Sequence, residues 1–274
     1  IFMSQLDSGT FQQVKDLVLS GYHLNDIHGL ACPTALLPQN TSVESLERFS
    51  YERFRFRGAM DTTSIDDFVR YSVGYAQEEE KARCFIDADN MLARSIINIG
   101  TLDNPGHADN VASIKLKKTA PFRALLAING DHLNQKQIAE WLEDWSDYLT
   151  AFDADGQTMK IAQAAQAVRR VTIQQTNAAD HEDGDFSGKK SLMQSIEASS
   201  KDVMPVAFEF MCVPYEGLGE RRFSLRNSLL KSSDPVFVLR IVQLEAQEEA
   251  IANEFRDLLV GKFDGKPVET FIGN

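Results

Sequence analysis

Apolar residues at Ile138, Trp141, Leu142, Trp145, Tyr148 and Leu149 recur at helical spacing and predict one broad apolar stripe on a helix. Asn134 is placed to cap it, with Gln137 three residues on able to reach back in a capping box. Immediately upstream, Phe122 to Ile128 is apolar apart from Arg123 and is bounded by Pro121 and by Asn129-Gly130. That run reads as a strand buried on both faces. The strand and helix of 119–150, which hold both tryptophans, are therefore expected to form the core around which the chain is organised.

The same reading along the chain predicts a mixture of helices and mostly antiparallel strands. Phe11, Val14, Leu17 and Val18 fall on one face of a short docking helix, with Asp7 or Ser8 as cap and Gly21 as end. Residues 22–50 read as irregular, with the brief apolar patch at Ala35–Leu37 leaving room for a strand. Alternation from Arg53 to Arg57 is a strand signature, and Thr62 to Tyr75 changes to helical spacing. Ala82–Asp87 and Leu92–Ile99 read as two strands joined by a tight turn, and Val111–Lys118 as another, half-exposed strand. With Phe122–Ile128 they predict an antiparallel sheet of at least four strands, covered by the tryptophan helix.

Met159–Val171 is an alanine-rich helix by propensity, whereas 174–190 nearly lacks aliphatic residues and reads as a mobile polar linker. A helix around Ser191–Ser199 is followed by strands at Val206–Val213, Arg221–Leu230 and Val236–Leu244, a three-strand meander. Ile251, Phe255, Leu258 and Leu259 then mark a final acidic helix ended by Gly261, before GKPVETFIG, an edge strand or docking tail. The fold class expected is α+β, with mainly antiparallel sheets and packed helices. Residues 1–173 form its N-terminal region and 191–274 its C-terminal meander and helix, and the two are able to pack as one domain.

Charge changes the picture more than length does. A net charge of −12 across 274 residues argues against coating duplex DNA, since that affinity comes from clustered Lys and Arg displacing counterions. Local basic faces remain open. Cys32, Cys84 and Cys212 are odd in number and far apart, which fits buried small hydrophobes rather than disulfides or a CxxC metal site. No run of about eighteen apolar residues exists to span a membrane, and the beginning of the chain lacks a secretory pattern, so a cytoplasmic location is expected.

Two groups of arginines are the candidate binding residues. In YERFRFRG, Arg53, Arg55 and Arg57 fall on one face of the expected strand, interleaved with Phe54 and Phe56. In the meander, Arg222, Arg226 and Arg240 share the face opposite Phe223, Leu225, Phe237 and Leu239. Either set suits an anion, a nucleotide or single-stranded nucleic acid included, and either set also suits pairing with this protein's many carboxylates. Asp87 and Asp89 form a DxD pair that offers hard oxygen ligands to a divalent cation, and they are equally what a turn requires. His23 and His28 match no usual metal spacing. No Walker loop, GxGxxG, HExxH or GxSxG is present, so no catalytic residue or cofactor is assigned and a non-enzymatic role is expected.

The segments KTAPFRALLAINGDHLNQKQIAEWLEDW at 118–145, FIDADNMLARSIINIGT at 85–101, FEFMCVPYEGLGERRFSLRNSLL at 208–230 and VFVLRIVQLE at 236–245 resemble the phage and prophage family of unknown function typified by YfdQ. The resemblance implies a cytoplasmic phage or prophage protein and supplies no activity or catalytic motif. The expected function is a non-enzymatic accessory protein that assembles as a homo-oligomer. The alternatives are a binder or sequesterer of nucleotide or single-stranded nucleic acid through the arginine faces, and a metal-dependent hydrolase using Asp87 and Asp89.

Overall fold

The computed structural model of the chain describes residues 8–23, 51–52, 56–171, 203–230 and 235–273. A boundary between Phe56 and Arg57 divides it into two units. In the first, α1 (Ser8–His23) runs two residues past the expected stop at Gly21. Phe11, Val14 and Val18 are exposed on it. The expected strand at Arg53–Arg57 begins among residues outside the described set, as do the polar segment 174–190 and the helix at 191–199.

The second unit is α+β and holds two sheets. The first has five strands in the order β1 (Gly58–Thr62), β4 (Asn110–Lys115), β3 (Leu92–Ile96), β2 (Ala82–Asp87) and β11 (Val268–Ile272). The tight turn between β2 and β3 forms as expected, with Asp87 opposite Leu92. Both outer strands are parallel to their neighbours, β1 to β4 and β11 to β2, so the GKPVETFIG segment is an edge strand of this sheet. Ala82, Cys84, Ile86, Ala93, Ala112 and Ile114 point to one face, all fully buried. That face packs on α2 (Ile65–Tyr75) and α6 (Leu244–Phe263), whose Phe68 and Phe263 rings meet edge to face at 6.0 Å. α6 starts earlier than its apolar stripe suggests and runs through Gly261 to Phe263, since Gly in a helix costs only about 1 kcal/mol against Ala. The strand before it correspondingly ends at Ile241, not Leu244.

Phe122–Ile128 is not a strand. Residues Ala120–Ile128 form helix α3, and the first sheet consequently lacks the member expected there. Thr119 caps the helix by accepting the Phe122 N–H at 3.3 Å, and Pro121 sits in the first turn, where a missing N–H costs nothing. Phe122, Leu125 and Ile128 are the buried positions, a spacing of three that only a helix turns to one side.

The second sheet has six antiparallel strands in the order β5 (Leu133–Asn134), β10 (Val236–Ile241), β9 (Arg221–Leu230), β8 (Ala207–Cys212), β6 (Leu149–Phe152) and β7 (Thr158–Met159). The meander is present as β8, β9 and β10. Strand β6, upstream of the polar segment, pairs with β8, downstream of it, so one sheet spans both sides. Helix α4 (Gln135–Asp144) carries the capping box expected of Asn134 and Gln137. It is shorter than predicted, because the chain turns at Trp145 through a 3-10 turn at Ser146–Tyr148 and Leu149 enters β6. Its tryptophan stripe packs on this second sheet, not the first. Trp141 and Tyr148 both stack on Phe210 of β8, with ring centroids 5.8 and 5.6 Å away. Helix α5 (Ile161–Arg170) lies beside α4 and presents Ala164, Ala165, Ala167 and Val168 to the core.

Candidate anion-binding face

The ten-residue β9 alternates strictly because one of its faces is core. Phe223, Leu225, Asn227 and Leu229 are buried, and the intervening side chains must then face outward. Asn227 is tolerated inside because its Nδ2 donates to the Pro205 carbonyl at 2.8 Å. On the outward face Arg222 and Arg226 are exposed, with Ser224 between them and Ser228 beyond. Arg240 is exposed on β10, and the register sets it directly opposite Arg226. All three arginines of the meander therefore share one sheet face.

Arg222 has the Glu209 carboxylate of β8 close by, at 3.5 Å. Arg226 and Arg240 bring two permanent positive charges to facing positions of adjacent strands. The hydroxyls of Ser224, Ser228 and Thr150 lie on the same face and offer further donors, so the surface suits oxyanions. Arg221, which opens β9, belongs elsewhere: its guanidinium turns to Glu254 of α6 at 2.7 Å and to the Ala250 carbonyl at 3.0 Å.

Of the other arginine set, Arg57 is exposed immediately before β1, while Arg53 and Arg55 lie outside the described residues. Asp87 closes the β2–β3 turn, where Oδ1 accepts the Asn90 N–H at 3.3 Å and Oδ2 accepts the Asn90 side-chain amide at 2.8 Å. Asp89 lines a cleft of about 390 Å³ between the β2–β3 turn, α3 and the start of α6. Phe122, Tyr215 and Ile251 line this cleft, and Glu245, Glu248 and Glu249 make its mouth acidic. Burial, and then Glu248, push the Tyr215 phenol up, which keeps it neutral. The cleft is thus opposite in sign to the arginine face and would repel phosphate.

A family model of uncharacterized conserved proteins, DUF2303, matches residues 24–274. The chain belongs to the DUF2303 family. Comparison with curated proteins and with solved structures finds no match.

Among the described residues of this DUF2303 protein, no three His, Cys, Asp or Glu side chains converge in a way that holds a metal ion. Nor, among those residues, is any helix long and apolar enough to cross a membrane. Cys84 and Cys212 are buried, and burial pushes both thiols up to about 12, so neither is a nucleophile in the folded state. The acidic cleft was beyond the reach of sequence reading because its walls come from four distant segments. The Glu248-Glu249 pair at the start of α6 is the only local trace of it.

Proposed function

We propose that this DUF2303 protein is a non-catalytic binder of phosphate-bearing polymers, which it holds on the β9–β10 face. The placement of Arg222, Arg226 and Arg240 on one exposed sheet face carries this reading, since neighbouring guanidinium groups offer several charge-assisted contacts to one polyanion. Likeness of its segments to the YfdQ-typified family adds a phage or prophage setting, with an accessory rather than enzymatic role. The test is an anisotropy titration in low salt with labelled polyphosphate and with a labelled single-stranded oligonucleotide. Replacing Arg222, Arg226 and Arg240 together by Gln should weaken binding of both at least about tenfold. For the wild-type protein, three phosphate contacts to a single strand predict a slope of about −2 in log K against log salt. Absence of binding by the wild type in low salt overturns the reading.

A second reading, a homo-oligomer, rests on β11. Among the described residues this edge strand leaves Phe271 42% and Ile272 62% exposed beside unpaired backbone groups, whereas both edge strands of the second sheet are only two residues long. Antiparallel pairing of two β11 strands about a two-fold axis would join two first sheets. Native mass should then fall to that of one chain in an Ile272→Lys variant that keeps its unfolding transition. An unchanged mass overturns this contact.

A further inference from the structure

The first sheet has a face that, among the described residues, no helix of its unit covers. With Ala82, Cys84 and Ile86 turned to α2 and α6, the alternate residues of every strand look the other way. The register puts five of them in one row across the sheet: Phe271 on β11, Phe85 on β2, Arg94 on β3, Ser113 on β4 and Asp61 on β1. Phe271 is exposed, Phe85 half-buried, and their rings lie nearly parallel at 24° with centroids 5.5 Å apart. Arg94 is exposed beside them, and Arg83 and Lys115 stand on the same face in the flanking rows. Among the described residues these three cations form no ion pair, unlike Lys81, whose ammonium is 3.7 Å from Glu269 at the sheet edge.

A flat, water-facing pair of aromatic rings next to unpaired guanidinium groups matches one ligand chemistry. Bases offer π-faces to the rings and the backbone that joins them offers phosphates to the cations. Duplex nucleic acid buries its bases in the stack and cannot use the rings. We propose that the outer face of the first sheet is a platform for unpaired bases, with Phe85 and Phe271 stacking them and Arg94, Arg83 and Lys115 holding the phosphates. This rests on the reading of the protein as a binder of phosphate-bearing polymers and narrows that polymer to single-stranded nucleic acid.

The experiment uses the full chain and three probes of equal length at low salt: labelled oligo-dT, a duplex and polyphosphate, which has the charge but no bases. Phe85→Leu/Phe271→Leu keeps the apolar volume and removes the rings. It should weaken oligo-dT binding at least about tenfold, as expected for loss of one stacked base, and leave polyphosphate binding unchanged. Arg94→Gln, an exposed and unpaired site, gives a second variant with no folding burden and should weaken oligo-dT. Wild-type protein should also prefer oligo-dT to duplex. Equal binding of oligo-dT by wild type and the leucine variant, with polyphosphate still bound, overturns the platform and leaves the underlying reading standing. Failure of the wild type to bind any of the three overturns both.

Discussion

The carboxylate of Glu254 on α6 holds the β9 end of the β8–β9 connection: Oε2 accepts from the Arg221 guanidinium at 2.7 Å, and Oε1 accepts the Gly219 backbone N–H at 2.7 Å. Arg221 and Glu254 side chains are only 22% and 28% exposed, so the pair is shielded from salt more than the surface pairs elsewhere. Glu254→Ala leaves Arg221 with one carbonyl partner and strands the Gly219 amide. Hydrogen bonds to charged groups contribute about 1.5–3 kcal/mol, and partial exposure brings the expected loss to about 2 kcal/mol. Urea unfolding measures it, and an unchanged midpoint would show that the clamp is ornamental.

Thr119 does two jobs with one oxygen, capping α3 and donating to the Val213 carbonyl at 2.6 Å. Thr119→Val keeps the shape and removes both bonds, for an expected cost of about 1–2 kcal/mol. Thr119→Ser should recover most of it. A valine variant as stable as wild type would mean that α3 is held by packing alone.

Two surface pairs contribute to the acid side of the stability curve. Hydrogen bonding to Lys262 and its charge hold the Asp66 carboxyl below its ordinary 3.8, and a hydrogen bond from Arg169 holds Glu143 below its ordinary 4.5. Both groups bind protons more readily when unfolded, so their contribution is complete above the ordinary values and disappears as pH falls through the lower folded ones. Stability should decline from about pH 4.5 downward, and Asp66→Asn/Glu143→Gln should flatten that decline without altering stability slopes near neutrality. Unfolding free energies at several pH values check it, and an equally steep acid limb in the double variant would refute it.

Thiol chemistry tests the core. With both thiols raised to about 12 by burial, Cys84 and Cys212 should resist a disulfide reagent at pH 8 in the native protein and react at once in urea. In a Cys32→Ser background the native protein should titrate no fast thiol. A fast-reacting Cys84 would place its strand at a surface and contradict the packing of α2 and α6 on that sheet.

What was legible follows from how much a local pattern can decide. The β9 alternation fixes which residues face out, because a one-residue slip would drive Arg222 and Arg226 into the core. It therefore put Arg222, Arg226 and Arg240 on one side before any partner was known. Phe122–Ile128 was ambiguous, since a short, nearly continuous apolar run fits a buried strand and a buried helix equally. The Thr119 cap and Pro121 held the answer, outside the run itself. Leu149 was drawn into the tryptophan helix because its spacing fits, although its pairing with Phe210 makes it a strand residue. The base platform escaped notice because Phe85 and Phe271 become neighbours only through the pairing of β2 with β11, and no periodicity within either segment announces a partner from so far along the chain.

That same pairing has a consequence for synthesis on the ribosome. Strand β2, at 82–87, gets its outer partner only when 268–272 has been translated and released from the exit tunnel. Until then the nascent chain can build the second sheet's meander and dock α6, yet the β2 edge stays open to any other extended chain nearby. The parallel geometry forbids a local hairpin as a substitute, so closure waits on a long-range encounter and is correspondingly slow. A released chain truncated after Pro267 should therefore be a species that chaperones hold, and one extended through 268–274 should not.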